Sequence, residues 1–183
     1  MPLLARKIDR DATWAEAEDY LNDEDFPYEA MYELREGRAL GKGGLSLFEC
    51  AGPADGVLAQ VAASFYMSGD QKNAPSKIYF RFVHTDDLDR AQITYSKTKG
   101  KLLYAPLNDL HYDITGLTGP KALILAKLLL NSEQIEIPQK TITFEITRGL
   151  RVGSFDKSAA KEKCLHFVNS KNGLEFLEDR LKF

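Results

Sequence analysis

Lys77-Ile78-Tyr79-Phe80-Arg81-Phe82-Val83-His84 is the stretch that decides how the rest of the chain is read. Ile78, Phe80 and Phe82 recur on one side of an extended backbone, Tyr79, Arg81 and Val83 on the other. Aromatic and β-branched residues at a period of two predict a β-strand. A sheet is therefore the organising element.

Upstream, Leu45 to Cys50 and Leu3 to Ile8 read as further strands. Between residues 57 and 67, Val57, Ala59, Val61, Ala63, Phe65 and Met67 fall into one alternating set. Leu58, Gln60, Ala62, Ser64 and Tyr66 fall into the other, which predicts a strand. Downstream, Ala91 to Ser96 and Lys101 to Ala105 flank Lys97-Thr98-Lys99-Gly100, where the glycine suits the positive φ of a tight hairpin. Strand candidates in succession, joined by short loops, predict an antiparallel meander of about five to seven strands. Pro120 starts an apolar helix running to Leu130, and Pro138 precedes a predicted strand from Thr141 to Thr147. Helices are expected from about Asp156 or Ser158, and again from Leu174 to Leu181 after the Asn172-Gly173 break.

The N-terminal part has a different character. Trp14, Ala17 and Leu21 predict one helix. Tyr28, Met31, Tyr32 and Arg35 predict a second, starting at Pro27 and stopping at Gly37. Residues 1–36 carry eleven acids and four bases, net −7, whereas residues 37–183 are net +4. The fold expected is α+β: an antiparallel meander with helices on one face and an acidic helical flank. It is expected as one domain over 1–183, with the flank at 1–40 and the sheet-and-helix core at 45–183.

Composition removes several classes. Hydrophobic content of 44% and charge of 28% are globular values and exclude a disordered chain. No apolar run approaches the roughly 18 residues of a membrane span. The N-terminus carries no signal-peptide pattern. Cys50 and Cys164 stand in no C-x-x-C spacing and are expected as free, buried thiols. A cytoplasmic location follows as an expectation, with no membrane association and no cofactor or metal.

Two H-x-D units carry the most specific chemistry: His84-Thr85-Asp86 and His111-Tyr112-Asp113. In an extended chain each places imidazole and carboxylate on one face. On neighbouring strands they would converge as acid and base for phosphoester chemistry, or as metal ligands. Two-histidine phosphoesterases place Thr or Ser where Asp86 and Asp113 stand, and the pattern departs from theirs there. The plainer reading makes Asp86 to Asp89 a turn or helix cap and His111 and Asp113 positions on a strand edge. Arg90, Lys97, Lys99 and Lys101 surround the expected hairpin without an intervening acid, a candidate nucleic-acid contact beside Tyr95 and Tyr104. The chain's pI of about 5.7 argues against a dedicated nucleic-acid binder. Gly41, Gly43 and Gly44 precede a strand rather than a helix and close on no Gly-Lys-Ser/Thr, so a phosphate loop is excluded. No nucleophile motif is present.

The first expectation for function is thus a non-enzymatic protein-binding factor of bacterial or phage type: an immunity, inhibitor or regulatory protein. It would meet a basic surface on another protein through Glu16, Asp19, Tyr28, Glu29, Tyr32 and Glu33. The alternative is a phosphoester-directed enzyme or nucleic-acid-binding factor built on the H-x-D units and the basic residues.

Overall fold

The computed structural model describes residues 2–8, 14, 34, 44–68 and 77–155. In chain order the elements are β1 (Leu3–Ile8), β2 (Leu45–Cys50), α1 (Val57–Ser68), β3 (Ile78–His84), α2 (Thr85–Arg90) and β4 (Tyr95–Lys97). A 3-10 helix (Ala105–Leu110), β5 (His111–Ile114), α3 (Gly119–Leu130), β6 (Ile135–Ile137) and α4 (Gln139–Arg151) follow. The fold is α+β, and the sheet has six strands in the order β4-β5-β2-β1-β3-β6. The pairs β1–β2, β1–β3, β2–β5 and β4–β5 all run antiparallel. The strand order is interleaved, where a meander would place successive strands side by side.

Three local expectations are corrected. Residues 57–68 form α1. The run is mostly apolar, so its alternation was weak evidence; Gln60, Ser64 and Ser68 recur every four residues, and its length and alanine content favour a helix. Asp55 starts it, its Oδ1 accepting the Val57 N–H at 3.0 Å and its carbonyl the Leu58 N–H at 3.1 Å. Residues 141–147 belong to α4. Ile142, Thr143, Ile146 and Thr147 are buried at helical spacing while Phe144 is exposed. The threonine hydroxyls donate back to Gln139 O (2.8 Å) and Thr143 O (3.0 Å), so β-branched residues are accommodated in a helix. Finally, β4 pairs with β5, and residues 101–105 form no strand. Asn108 organises the intervening loop instead: its Oδ1 accepts the Leu102 N–H at 2.6 Å, and its carbonyl the Gly100 N–H at 2.9 Å.

The chain forms two compact units, each assembled from separated segments. The first comprises residues 1–54, 79–98 and 110–135. On one face of its sheet Leu4, Ile8, Leu45, Leu47, Val83 and Ile114 pack with Leu125, Ala126, Leu129 and Leu130 of α3. Leu88 and Ile93 join them, as do Trp14 and Leu34, which are helical. The other face is apolar as well, with Ala5, Phe48, Phe80 and Phe82 all buried. Burial on both faces accounts for the nearly continuous apolar character of β3. The second unit comprises residues 55–78, 99–109 and 136–183, and in it α1 packs against α4.

Apart from Trp14 and Leu34, the predicted N-terminal helices lie outside the described residues, as do the C-terminal helices and Cys164. Cys50 is buried, and its thiol donates to Leu3 O at 3.6 Å.

Candidate functional site

Antiparallel register places both H-x-D histidines on the same face of the sheet and keeps them apart. His111 stands opposite Phe48, Phe48 opposite Ala5, and Ala5 opposite Phe82, two residues before His84. Strands β2 and β1 lie between, so β5 and β3 are three strand spacings apart, about 14 Å. His84 and Asp86 therefore do not meet His111 and Asp113, and the convergence weighed from the sequence does not occur. No group of three His, Cys, Asp or Glu residues among the described residues is placed to hold a metal ion.

The His111 unit is closed on itself. Thr98, just beyond β4, donates its hydroxyl proton to Asp113 Oδ2 at 2.9 Å. A hydroxyl has one proton, so Thr98 Oγ1 accepts from His111 Nδ1 across the 2.7 Å contact, and the neutral ring carries its proton on Nδ1. His111 Nε2 lies 3.7 Å from Asp113 Oδ1, and Phe48 packs edge-on against the ring at 5.2 Å. Burial pushes the His111 pKa below its ordinary value, outweighing Asp113 and a hydrogen bond at Thr98, which push it up. Because the Thr98 proton goes to the carboxylate, the imidazole does not activate this hydroxyl as a nucleophile. The triad pins edge strand β4 to β5. Gly44 makes room for it: a Cβ there would come within 2.8 Å of Asp113 Cγ.

The basic residues are dispersed in role. Arg90 pairs with Asp87 at 2.7 Å. Lys97 pairs with Glu49 at 3.2 Å and lies over the Tyr112 ring, whose hydroxyl donates to the same carboxylate oxygen at 3.2 Å. Burial, and then the Glu49 charge, raise the Tyr112 pKa; burial and Asp89 raise that of Tyr95. Lys99 and Lys101 are exposed.

The His84 unit is open. It ends β3, with His84 exposed at the N-cap of α2 and giving that helix no side-chain cap. A cleft of about 510 Å³ opens beside it, inside the volume range of small-molecule sites. Leu3, Pro53, Phe82, Val83 and Leu128 form the apolar wall; His84, Asp87, Asn131, Ser132 and Glu133 are the polar lining. The far wall is the end of α3, and a buried arginine holds it in place. Arg81, 2% exposed, donates to Leu130 O (2.9 Å), Ser132 O (3.3 Å) and Leu129 O (3.4 Å), and through Nε to Gln134 Oε1 (3.1 Å). A cation at a helix C-terminus is favoured by the helix dipole. Ser132 Oγ completes the join, accepting the Phe82 N–H at 2.9 Å and donating to Leu129 O at 2.6 Å. Sequence reasoning singled out His84 but missed Asn131 and Glu133. The available signal was Arg81, a charge in a strand buried on both faces, which must meet acceptors from another element.

In the second unit a cavity of about 80 Å³ lies beside Gln60, Glu145 and Arg148. The Glu145–Arg148 ion pair (2.7 Å) occupies its polar side, and the Phe155 ring sits against Gly149. Glu16, Asp19, Tyr28, Glu29, Tyr32 and Glu33 lie outside the described residues.

Comparison with known protein families, with curated proteins and with solved structures returns no match.

Proposed function

We propose that this chain is a non-enzymatic protein-binding factor, an immunity, inhibitor or regulatory protein of bacterial or phage type, that docks its acidic N-terminal segment on a basic protein surface. The observation that carries this reading is the charge polarisation: net −7 over residues 1–36 against net +4 over the remainder. A field of one sign steers encounter with an oppositely charged partner. Two further facts support it. Trp14 and Leu34, at either end of the acidic run, are buried in the core of the first unit, which ties the run to a folded body at two points. Elsewhere, much of the chemistry-bearing set is engaged locally, with His111 and Asp113 in their own triad and Arg90 and Lys97 in ion pairs.

The test is capture from a lysate of the source cell at low and moderate salt, with nuclease present, using the parent chain and a Glu29→Lys/Glu33→Lys variant. A discrete protein partner held by the parent and released by the variant, with both chains folded by circular dichroism, is the expected result. A complex indifferent to the charge reversal removes this surface from consideration. Recovery of nuclease-sensitive material that falls steeply with salt would transfer the reading to Arg90, Lys97, Lys99 and Lys101.

A further inference from the structure

We propose that the cleft beside His84 is a binding site for a small organic cation, an apolar body carrying a primary amine, of which an arylalkylamine is the simplest form. The inference is independent of the acidic docking segment and concerns only residues of the first unit.

Size and lining come first. About 510 Å³ accommodates a molecule of metabolite or drug dimensions. Leu3, Phe82, Val83 and Leu128 offer an apolar surface for its body. The sign of the ligand's charge follows from the polar lining. Among the described residues no lysine or arginine lines the cleft, whereas two carboxylates, Asp87 and Glu133, do. Among these described groups an anion meets two carboxylates and no permanent cation, whereas an ammonium group finds carboxylate, amide and imidazole acceptors.

The state of these groups sharpens the assignment. The side chains of His84, Asn131 and Glu133 make no hydrogen bond or ion pair with any described residue. All three line the same cleft, where a carboxylate, an amide oxygen and an imidazole are open to a donor-rich head group. Asp87 is held by Arg90, whose side chain is 77% exposed. A pair that open to solvent contributes little and yields to a better-placed cation. Ser132 is already committed to Phe82 and Leu129, so it shapes the wall and does not bind. Three hydrogen bonds from Arg81 to the Leu129, Leu130 and Ser132 carbonyls fix the backbone that carries Asn131 and Glu133, which gives the site a preorganised wall.

The test is titration of the ¹⁵N-labelled full chain with phenethylamine and, separately, with 3-phenylpropionate, its counterpart of opposite charge. Phenethylamine is expected to produce saturable shifts confined to the amides of Leu3, Val83, His84 and residues 128–133. The phenylpropionate should bind about tenfold more weakly or worse, and Glu133→Gln should weaken phenethylamine by about tenfold. Leu128→Trp, which fills the cleft, should abolish the response. Unchanged cross-peaks away from the cleft show that each variant is folded. Non-saturating or scattered shifts, equal binding of the two probes, or indifference to Glu133→Gln would each overturn the assignment.

Discussion

The chain contains the same three-residue pattern twice, and the two copies meet opposite fates. His111-Tyr112-Asp113 sits in a strand with a neighbour on either side, and Thr98 arrives across the ladder to consume both the imidazole proton and a carboxylate oxygen. His84-Thr85-Asp86 straddles the end of a strand and the start of a helix, where no strand partner among the described residues reaches the imidazole and a cleft lies beside it. Histidine and aspartate at a spacing of two specify a common face only while the backbone stays extended. Whether they perform chemistry depends on which polar groups the neighbouring elements bring. At His111 those groups close the site; at His84 the helix end supplies a wall and leaves the histidine open to solvent.

The largest effect is expected where the open site is held together. Arg81→Met keeps the approximate length of the side chain but strips the charge-assisted donors from Leu129 O, Leu130 O, Ser132 O and Gln134. Buried acceptors left without a donor carry their desolvation cost unreturned. A loss of about 3 kcal/mol in urea-unfolding free energy is expected. A loss below about 1 kcal/mol would show that the α3 terminus is held by its apolar packing alone.

The closed copy is tested next. His111→Ala removes the donor to Thr98 and the edge-on contact with Phe48, and about 1–2 kcal/mol of stability should go with them. The pH dependence follows from the lowered His111 pKa. Well above 6.5 the ring is neutral folded and unfolded, so it contributes no slope. Below 6.5 the unfolded chain takes the proton first, so stability falls with pH until the folded-state pKa is passed. Urea midpoints measured from pH 8 to pH 5 should therefore show a decline that is smaller in His111→Ala. Equal slopes in the two proteins would assign the acid sensitivity to other groups.

The contrast also marks where sequence reading succeeds. Strand β3 and helix α3 were legible because each has an unmistakable period or a proline start, and their burial reinforces it. Residues 57–68 and 139–151 were not. An apolar run rich in alanine satisfies both periods, and threonines at 143 and 147 look like strand residues until their hydroxyls find carbonyls four positions back. The faces of His111 and Asp113 followed from parity. Their closure by Thr98 did not, because it depends on β4 choosing β5 over the next segment in the chain, a tertiary decision. The cleft was least legible. Its walls come from the end of a strand and the end of a helix, linked by an arginine whose acceptors no local pattern announces.

The smallest effect belongs to the open histidine. His84→Ala should change unfolding free energy by no more than about 0.5 kcal/mol, the usual scale for an exposed side chain without partners. His84 occupies the N-cap position of α2 but offers that helix no side-chain bond, so alanine forfeits no cap. Its backbone pairing opposite Leu3 does not involve the imidazole and survives the change. Urea unfolding of His84→Ala beside His111→Ala, under one set of conditions, sets the two copies of the motif directly against each other. A loss at His84 equal to that at His111 would mean that the imidazole is structurally engaged at the strand end. The distinction between a closed and an open H-x-D unit would then fail at its open side. A negligible loss, with the His111 variant clearly weakened, leaves His84 as a side chain that the fold does not need.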